Sequence, residues 1–222
     1  MAEKHSPRQV WRQFRSRFGT TRTVKHALFR LINRIVYCDC LHIVILNRPD
    51  LRPLRPDPVH RLSSRTATLQ DLESMERQGC WEVHERKIAC FREGDVCLLS
   101  YVDGELAGYT WAHTRGCPEL VPGLRVSIPP EYLYNFASFT LPPYRGCGLQ
   151  SWRHHALLDD ERWQSKRGLL GFVLHTNFSS KKGQDKSGYK RIGSIWLLGR
   201  KDNFLVFIGK SLRCMGIQRI RG

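Results

Sequence analysis

The sequence predicts a mixed α/β fold, in which a central sheet of about six to seven strands is flanked by helices. Apolar runs with strand-like and helix-like spacing alternate along the chain. Asp103-Gly104 separates two apolar runs in the manner of a hairpin turn. A third strand, Tyr132 to Thr140, leads through glycines into a helix at 149–166. With 222 residues, the chain is long enough to bury a full core.

Residues 1–60 are predicted to form a basic N-terminal extension. Two short helices are expected, one ended by Gly19 and one running to Ile35. A strand follows at Leu41 to Leu46, and a proline-rich connector then leads to a boundary near residue 60. The apolar residues of the second helix share one face, and they are Val24, Leu28, Leu31, Ile32 and Ile35.

Residues 61–222 are predicted to form the main domain. Thr68 and Asp71 have the spacing of a capping box, which starts the first helix of this domain. The predicted elements, in order, are a strand at 65–68, helices at 69–76 and 81–91, strands at 96–102 and 106–113, a loop at 114–130, a strand at 132–140, helices at 149–166 and 179–186 around a strand at 169–176, and strands at 189–198 and 203–208.

The net charge of +16 is unevenly distributed along the chain. Residues 1–65 hold 14 Lys and Arg against 4 Asp and Glu. Such asymmetry favours an acidic partner for the N-terminal part: an acidic protein, an anionic membrane surface or nucleic acid. No apolar run has the length of a membrane span, and the N-terminus lacks a signal-peptide core. A cytoplasmic protein, peripheral at most to the inner membrane face, is the expectation.

The eight cysteines do not have the spacing of a zinc site, since no two Cys-x2-Cys pairs occur. Cys38-Asp39-Cys40 has the form of a metal or redox pair, but small, buried, reduced cysteines fit better. The sequence therefore predicts no metal site.

The segment Leu141 to Gln150 is the strongest functional motif of the chain. It reads Leu-Pro-Pro-Tyr-Arg-Gly-Cys-Gly-Leu-Gln between the strand at 132–140 and the following helix. The N–H groups at a helix start are free, and the helix dipole favours negative charge there. Arg145 adds a charged donor. The motif indicates a ligand that carries a pyrophosphate.

The same segment resembles the acyl-coenzyme A loop of the GNAT (GCN5-related N-acetyltransferase) superfamily, which has the pattern Arg/Gln-x-x-Gly-x-Gly/Ala. The chain also has residues similar to a second signature of that family, Asn177-Phe-Ser-Ser180 followed by Lys186-Ser-Gly188-Tyr189. The order of predicted elements from residue 62 to about 208 also matches. The chain is identified on these motifs as similar to bacterial acyl-CoA N-acyltransferases of unknown substrate.

The resemblance implies which residues bind the donor, acetyl-CoA or a longer acyl-CoA. The pantetheine arm would pair with the strand, the pyrophosphate would meet the loop, and a main-chain N–H near the end of the strand would polarise the thioester. The cofactor-binding residues implied are Ser138, Phe139, Thr140, Arg145, Gly146, Cys147, Gly148, Leu149, Gln150, Asn177 and Ser180.

Two positions depart from the family pattern. Gln150 stands where Gly or Ala is usual, and Gln184 stands where many members carry a tyrosine that protonates the leaving thiolate. Gln cannot act as an acid. Water, Ser180 or Tyr189 are the remaining proton sources for the thiolate.

The sequence leaves the general base open, because the strand before the loop carries no carboxylate. Glu82 and His113 are the preferred candidates, and Tyr134 is a candidate for lining the acceptor cleft. His84, Glu85 and His175 are the other titratable candidates. The neutral, aromatic strand favours an acceptor that is not strongly cationic.

The leading hypothesis is an acyl-CoA-dependent N-acyltransferase acting on a small amine, an amino sugar or amino acid, by direct attack. One alternative is an N-acyl amino acid synthase that uses acyl carrier protein, an acidic donor for which the basic extension would be the docking surface. Another is a non-catalytic acyl-CoA-binding or nucleic-acid-binding relative. Nucleic acid is the weaker expectation as a partner, and a homodimer remains open.

Overall fold

The protein is described by a computed structural model that covers residues 11–12, 15–16, 19–54, 59–79, 83–113, 117–200 and 203–220. Its centre is an eight-stranded mixed sheet in the order β10-β9-β1-β8-β7-β4-β3-β2, and a three-stranded sheet has the order β11-β6-β5. The strands are β1 Tyr37–Asn47, β2 Leu62–Thr66, β3 Val96–Val102, β4 Glu105–His113, β5 Glu119–Val121, β6 Leu124–Val126, β7 Tyr132–Thr140, β8 Gly168–Leu174, β9 Lys190–Gly199, β10 Phe204–Ile208 and β11 Arg219–Ile220.

Six α-helices accompany these strands in the described part of the chain from residue 19 onward. They are α1 Thr20–Ile35, α2 Leu69–Arg77, α3 Glu85–Arg92, α4 Leu149–Asp159, α5 Phe178–Ser187 and α6 Lys210–Cys214. The capping box predicted at Thr68 is confirmed, because its hydroxyl accepts from the N–H of Asp71 and the Asp71 carboxylate accepts from the N–H of Thr68. Helix α4 ends at Asp159, earlier than predicted, and a short 3-10 turn follows at Glu161–Trp163.

The predicted fold class is confirmed, with one more strand in the main sheet than the six to seven expected. The additional element is β1, which the sequence places in the extension before residue 60. Its alternate residues Leu41, Ile43 and Ile45 are buried in the core. Strand β1 pairs with β8 on one side and β9 on the other, so this part of residues 1–60 belongs to the main sheet.

The predicted loop at 114–130 needs a second correction. Residues 119–126 form the hairpin of β5 and β6, and β11 joins its edge. Leu120, Leu124 and Val126 pack against β1 and β9, so the small sheet covers an apolar face of the large one. The segment contributes only three-residue strands, which is too short for an alternating pattern to be recognised.

The two faces of the main sheet are covered by different elements. Helices α2 and α3 and the small sheet pack on one face, where Tyr109, Trp111 and Tyr134 are buried. Helix α4 packs on the other face through Leu157 and Leu158. Helix α5 lies beside α4, where the hydroxyls of Ser151 and Ser187 are 2.9 Å apart.

Helix α1 confirms the predicted second helix but exposes its apolar row. Val24, Leu28, Leu31 and Ile35 are 52%, 56%, 55% and 83% exposed, while Thr23 is buried. The first predicted helix falls mainly on residues outside those described. None of the helices that the structure describes is long and apolar enough to cross a bilayer.

Candidate functional site

Strands β7 and β8 separate along their length. They pair in parallel only where Tyr132, Leu133 and Tyr134 face Gly168, Leu169 and Leu170. Residues 135–140 of β7 have no ladder partner in β8, although both strands continue. Unpaired strand edges leave backbone donors and acceptors available to a ligand. The separation therefore forms a gap that an extended molecule can fill.

A bulge in β7 lies beside this gap. The register between β4 and β7 shifts between Tyr109 and Trp111, and Ala137 has φ of 45°. A non-glycine residue with positive φ costs about 1–3 kcal/mol and is characteristic of functional sites. The bulge therefore marks the region of β7 next to the gap as a specialised one.

A small polar cluster supports the bulge. The hydroxyl of Thr110 donates to Oδ1 of Asn135 at 2.9 Å, and Ser138 donates to the same oxygen at 3.2 Å. The amide nitrogen Nδ2 of Asn135 is buried and has no hydrogen-bond partner among the described residues. An unsatisfied buried donor costs about 1–3 kcal/mol. Asn135 is thus a further candidate for contacting a ligand near the gap.

The loop from β7 to α4 exposes a set of backbone N–H groups. Gly146 and Gly148 have φ of 111° and 76°, and Gly148 begins α4 without any side-chain cap. The N–H groups of residues 146–150 make no backbone hydrogen bond to the described part of the chain. Free N–H groups at the start of a helix bind anions. The loop therefore has the properties of the phosphate site that the sequence predicts.

Two arginines lie close to this loop. Arg145 is exposed, and its Nε donates to the carbonyl oxygen of Thr140 at 3.2 Å. Arg153 is only 2% exposed, and its Nη2 donates to Oγ1 of Thr140 at 2.9 Å. Burial lowers the pKa of Arg153 to about 10, so the side chain is still a cation at neutral pH. Its Nε and Nη1 have no partner among the described residues. Both charges therefore favour an anion at this end of the gap.

The unusual Gln150 is accommodated by a glycine in α5. A Cβ added at Gly183 would collide with the side-chain amide of Gln150. The side chain of Gln150 therefore occupies the space that a side chain at Gly183 would fill, and the backbone N–H of Gln150 remains part of the loop. The departure from the family pattern is explained by the packing of α4 against α5.

Asn177 is the N-cap of α5. Its Oδ1 accepts from the N–H of Ser180 at 3.0 Å. The two residues that the second signature singles out are therefore joined directly. The cap uses only the oxygen of the amide, and the predicted contact of Asn177 with pantetheine stays a prediction.

Neither Gln184 nor Tyr189 is well suited to protonate the leaving thiolate. Gln184 is buried on α5. Burial raises the pKa of Tyr189 above its usual value of 10, which holds the phenol proton firmly. The Tyr189 ring packs edge-on against His154 with centroids 5.0 Å apart, in the position of a core aromatic.

His113 forms a buried pair with Asp95. Nδ1 of His113 lies 2.8 Å from Oδ1 of Asp95, and the two side chains are 9% and 2% exposed. The Nε2 atom of His113 is buried without a partner among the described residues. A carboxylate that orients one ring nitrogen leaves the other as the acceptor, which is the arrangement of a general base. His113 therefore has an orienting partner that the sequence did not reveal.

The other candidates for the base lie elsewhere. Glu82 is outside the described residues. His84 is the exposed N-cap of α3, and Glu85 follows it in the first turn, also exposed. His175 faces His42, with Nδ1 and Nε2 of the two rings 2.9 Å apart. None of these described residues joins the pair of His113 and Asp95.

Tyr134 lies in an aromatic stack on the face of the sheet covered by α3. Its ring stacks on Phe136 with centroids 5.2 Å apart, and burial raises the pKa of its hydroxyl well above 10. The His113 ring meets it edge-on at 6.4 Å. Lys87 of α3 places its ammonium 4.2 Å from the Phe136 ring. This face thus combines aromatic rings, the His113 imidazole and one cation.

Four residues of this region were missed by sequence reasoning: Asp95, Lys87, Asn135 and Arg153. A signal existed for Asp95, because the hairpin turn at Asp103-Gly104 places it opposite the end of β4, where His113 lies. The other three lie in apolar or amphipathic runs, and what surrounds each of them depends on neighbours distant in sequence. Periodicity does not report such contacts.

Comparison with known proteins gives low similarity throughout. No protein-family model and no curated protein matches this chain. The chain is similar to a functionally unknown conserved protein from Staphylococcus epidermidis, with 9% identity, 87% of this chain and 80% of that chain covered, and a TM-score of 0.48.

Two further solved structures are described as acetyltransferases. One is a putative acetyltransferase from the GNAT family from Novosphingobium aromaticivorans, with 16% identity, 74% of this chain and 66% of that chain covered, and a TM-score of 0.46. The other is an aminoglycoside antibiotic 6′-N-acetyltransferase from Acinetobacter baumannii, with 17% identity, 68% and 98% covered, and a TM-score of 0.43.

Proposed function

We propose that the protein is an N-acyltransferase that moves an acetyl or longer acyl group from acyl-CoA to the primary amine of a small molecule. The observation that carries this proposal is the continuity of the gap between β7 and β8 with the glycine loop at its end. An extended pantetheine arm fits the unpaired strand edge, and a pyrophosphate fits the free N–H groups of residues 146–150.

The charges near the loop support an anionic donor. Arg145 would pair with a phosphate from the solvent side, and Arg153 would act from beneath through the low-dielectric interior. Asn135 would donate its unused Nδ2 hydrogens to a carbonyl of the pantetheine. These contacts use groups whose hydrogen bonds are incomplete within the described part of the chain.

The reaction would be direct attack by the acceptor amine. His113, oriented by Asp95, would take the proton that the attacking ammonium must lose. The amine nitrogen then bonds to the thioester carbonyl carbon, a backbone N–H of β7 stabilises the oxyanion, and the carbon–sulfur bond breaks as the nitrogen loses its second proton. A water would relay that proton to the departing thiolate, because Gln184 cannot act as an acid and Tyr189 packs against the core.

The contact between Lys87 and the Phe136 ring would affect which acceptor the protein selects. A cation already lies over this aromatic ring, which disfavours a polycationic substrate and favours a neutral or anionic one. An amino sugar or an amino acid meets this condition.

The test is thermal stabilisation by acetyl-CoA, longer acyl-CoAs and free coenzyme A, since a ligand that binds only the folded state raises Tm. Gly148→Glu should abolish the stabilisation, because it adds a carboxylate where the phosphates bind. Gly216→Glu is the matched control, because Gly216 has φ of 78° against 76° for Gly148, and a Cβ added at either position meets no atom within 4 Å. Both substitutions carry the same backbone strain, but only one is at the loop.

Arg145→Ala should weaken stabilisation by the donor while leaving the Tm of the free protein unchanged. A folded protein that no thioester donor stabilises would refute the proposal. Equal loss of stabilisation in both glutamate variants would also count against it, because the effect would then be strain and not charge at the loop.

A second candidate function is N-acylation from acyl carrier protein. The exposed apolar row of α1, together with the exposed Arg22, Lys25 and Arg30 on the same helix, favours docking of an acidic protein. Stabilisation by loaded carrier protein or long-chain donors alone would support this candidate over the acetyl-CoA enzyme. Donor binding with no transfer to any amine would indicate the non-catalytic relative.

A further inference from the structure

We propose that Cys40, His42 and His175 form a binding site for a single zinc ion. The three donor atoms lie within 4.8 Å of one another. Two come from β1 and the third from the residue that follows β8, so the fold and not the sequence spacing brings them together. None of the three residues is used in the proposed donor binding or transfer, so the zinc site stands whether or not the protein binds acyl-CoA.

The two histidine donors are already close to the spacing of a zinc coordination sphere. Nε2 of His42 lies 2.9 Å from Nδ1 of His175, and Sγ of Cys40 lies within 4.8 Å of a ring nitrogen of each histidine. Tetrahedral zinc with bonds of about 2.0–2.1 Å to nitrogen holds two ligand nitrogens about 3.3 Å apart. An ion therefore enters when the two rings separate by a few tenths of an ångström and the Cys40 side chain turns toward them.

Ser194 supplies the outer contact that a ligating histidine needs. Its hydroxyl is 2.9 Å from Nδ1 of His42. If that nitrogen carries the proton and donates to Ser194, Nε2 presents its lone pair to the metal. In His175, Nδ1 presents its lone pair to the metal and Nε2 carries the proton. Both rings are then neutral, as zinc ligands must be.

The donor set suits zinc and does not suit magnesium or calcium. One thiolate and two imidazoles suit zinc or cobalt, whereas magnesium and calcium require oxygen ligands. Binding forms a sulfur–zinc bond and breaks the sulfur–hydrogen bond of Cys40, and the proton goes to solvent. With three protein ligands, a water completes the sphere.

The surrounding charges set the strength of the site. Lys181 and Arg191 act on both histidines and oppose a dication, while Asp39 acts on His175 with the opposite sign. The thiolate removes one of the two positive charges of the ion. We therefore expect weaker binding than in zinc sites with four protein ligands.

The site would tie the N-terminal half of β1 to the chain just after β8. Thr176 and Asn177 follow His175 directly, and Asn177 starts α5. Phe29 of α1 packs on the His175 ring with centroids 5.9 Å apart. A bound ion would thus join three elements that meet at this end of the sheet.

The test uses Co²⁺ as the probe, because a cobalt–thiolate bond gives a charge-transfer absorption that zinc lacks. One equivalent added to the metal-free full-length chain should produce this absorption together with visible d–d bands, and one equivalent of zinc should remove both. Cys40→Ser should lose the charge-transfer absorption. His175→Gln should weaken cobalt binding by at least tenfold.

Cys38→Ser is the matched control, because Cys38 lies on the same strand but outside the three-residue group. It should bind cobalt as the unsubstituted protein does. The unsubstituted chain decides the outcome even if a variant fails to fold: a folded protein without sulfur-to-cobalt absorption overturns the proposal. Loss of the absorption in Cys38→Ser with retention in Cys40→Ser would overturn it as well.

Discussion

The two edges of β8 differ in a way that accounts for the proposed site. Along its edge with β1, all seven residues of β8 are paired, from Gly168 to Leu174. Along its edge with β7, only Gly168, Leu169 and Leu170 are paired. The same strand is thus closed on one side and open on the other from residue 171 onward.

The irregular backbone at the opening lies in β7, whereas β8 keeps an unbroken register with β1. On the closed edge, the backbone groups satisfy one another and the side chains enter the core. On the open edge, a bulge at Ala137, the unsatisfied Asn135 and a loop with free N–H groups occur together. The unpaired part of β7 and the Asn135 amide without a partner lie together at this edge, and the donor is the partner that we propose for them.

Gly168→Ala is expected to have the largest effect on stability, and it tests the closed edge of β8. A Cβ at this position would collide with the backbone of Leu46 and Asn47 on the closed edge. Backbone cannot yield as a side-chain terminus can, so we expect a loss of about 3–4 kcal/mol in the free energy of unfolding. Denaturant unfolding followed by circular dichroism measures it.

Gly171→Ala is the control on the same strand, where pairing with β7 has ended. Its Cβ would lie 3.2 Å from the carbonyl oxygen of Asn135 and 3.8 Å from Cγ2 of Val44. We expect a cost below about 1 kcal/mol, because small shifts relieve these contacts. Equal costs at the two positions would contradict the close backbone contact with β1 that distinguishes Gly168 from Gly171.

The second-largest expected effect is a dependence of stability on pH, which originates at His154 in helix α4. His154 is 3% exposed, and its Nδ1 lies 3.0 Å from the Ser187 hydroxyl. Burial, with Arg153 and His155 nearby, lowers the pKa of His154 from 6.5 to about 3. The folded state therefore resists protonation, and stability that is complete above pH 6.5 is lost as pH falls toward 3.

His154→Leu should reduce the loss of stability between pH 7 and pH 4 by about 2–3 kcal/mol. Ser187 keeps Ser151 as a hydrogen-bond partner in this variant. His155→Leu, at the adjacent half-buried position, should keep most of the acid sensitivity, because burial is the largest cause of the low pKa of His154. Parallel profiles for the unsubstituted protein and His154→Leu would show that another group causes the acid sensitivity.

The smallest expected effects distinguish two roles of Asn177, the N-cap of α5 and the predicted contact with the donor. Asn177→Ala removes the cap that Ser180 uses and should cost about 1 kcal/mol. Asn177→Asp keeps an oxygen acceptor and should retain that stability. Both variants lack the amide N–H groups, so both should bind acetyl-CoA more weakly, by about fivefold. Undiminished affinity in the aspartate variant would mean that Asn177 serves only as the cap.

Much of the fold is accessible from the sequence because its strongest elements are local. The hairpin at Asp103-Gly104, the capping box at Thr68 and helix α5 require only neighbouring residues to be recognised. The glycine loop is recognisable for the same reason, since its conformation depends on two positive φ angles in a short segment. The placement of β1 in the sheet, by contrast, depends on pairing with strands more than a hundred residues away.

The sequence by itself determined the order of the main elements, the basic charge and the loop at 141–150 as the candidate phosphate-binding segment. Only the tertiary structure decided which polar groups lack partners and which meet. The pairing of Asp95 with His113, the incomplete hydrogen bonding of Arg153 and the contact of His42 with His175 all depend on residues from different elements. The physical reason is that burial and hydrogen bonding depend on distance in space, whereas periodicity and motifs record distance along the chain.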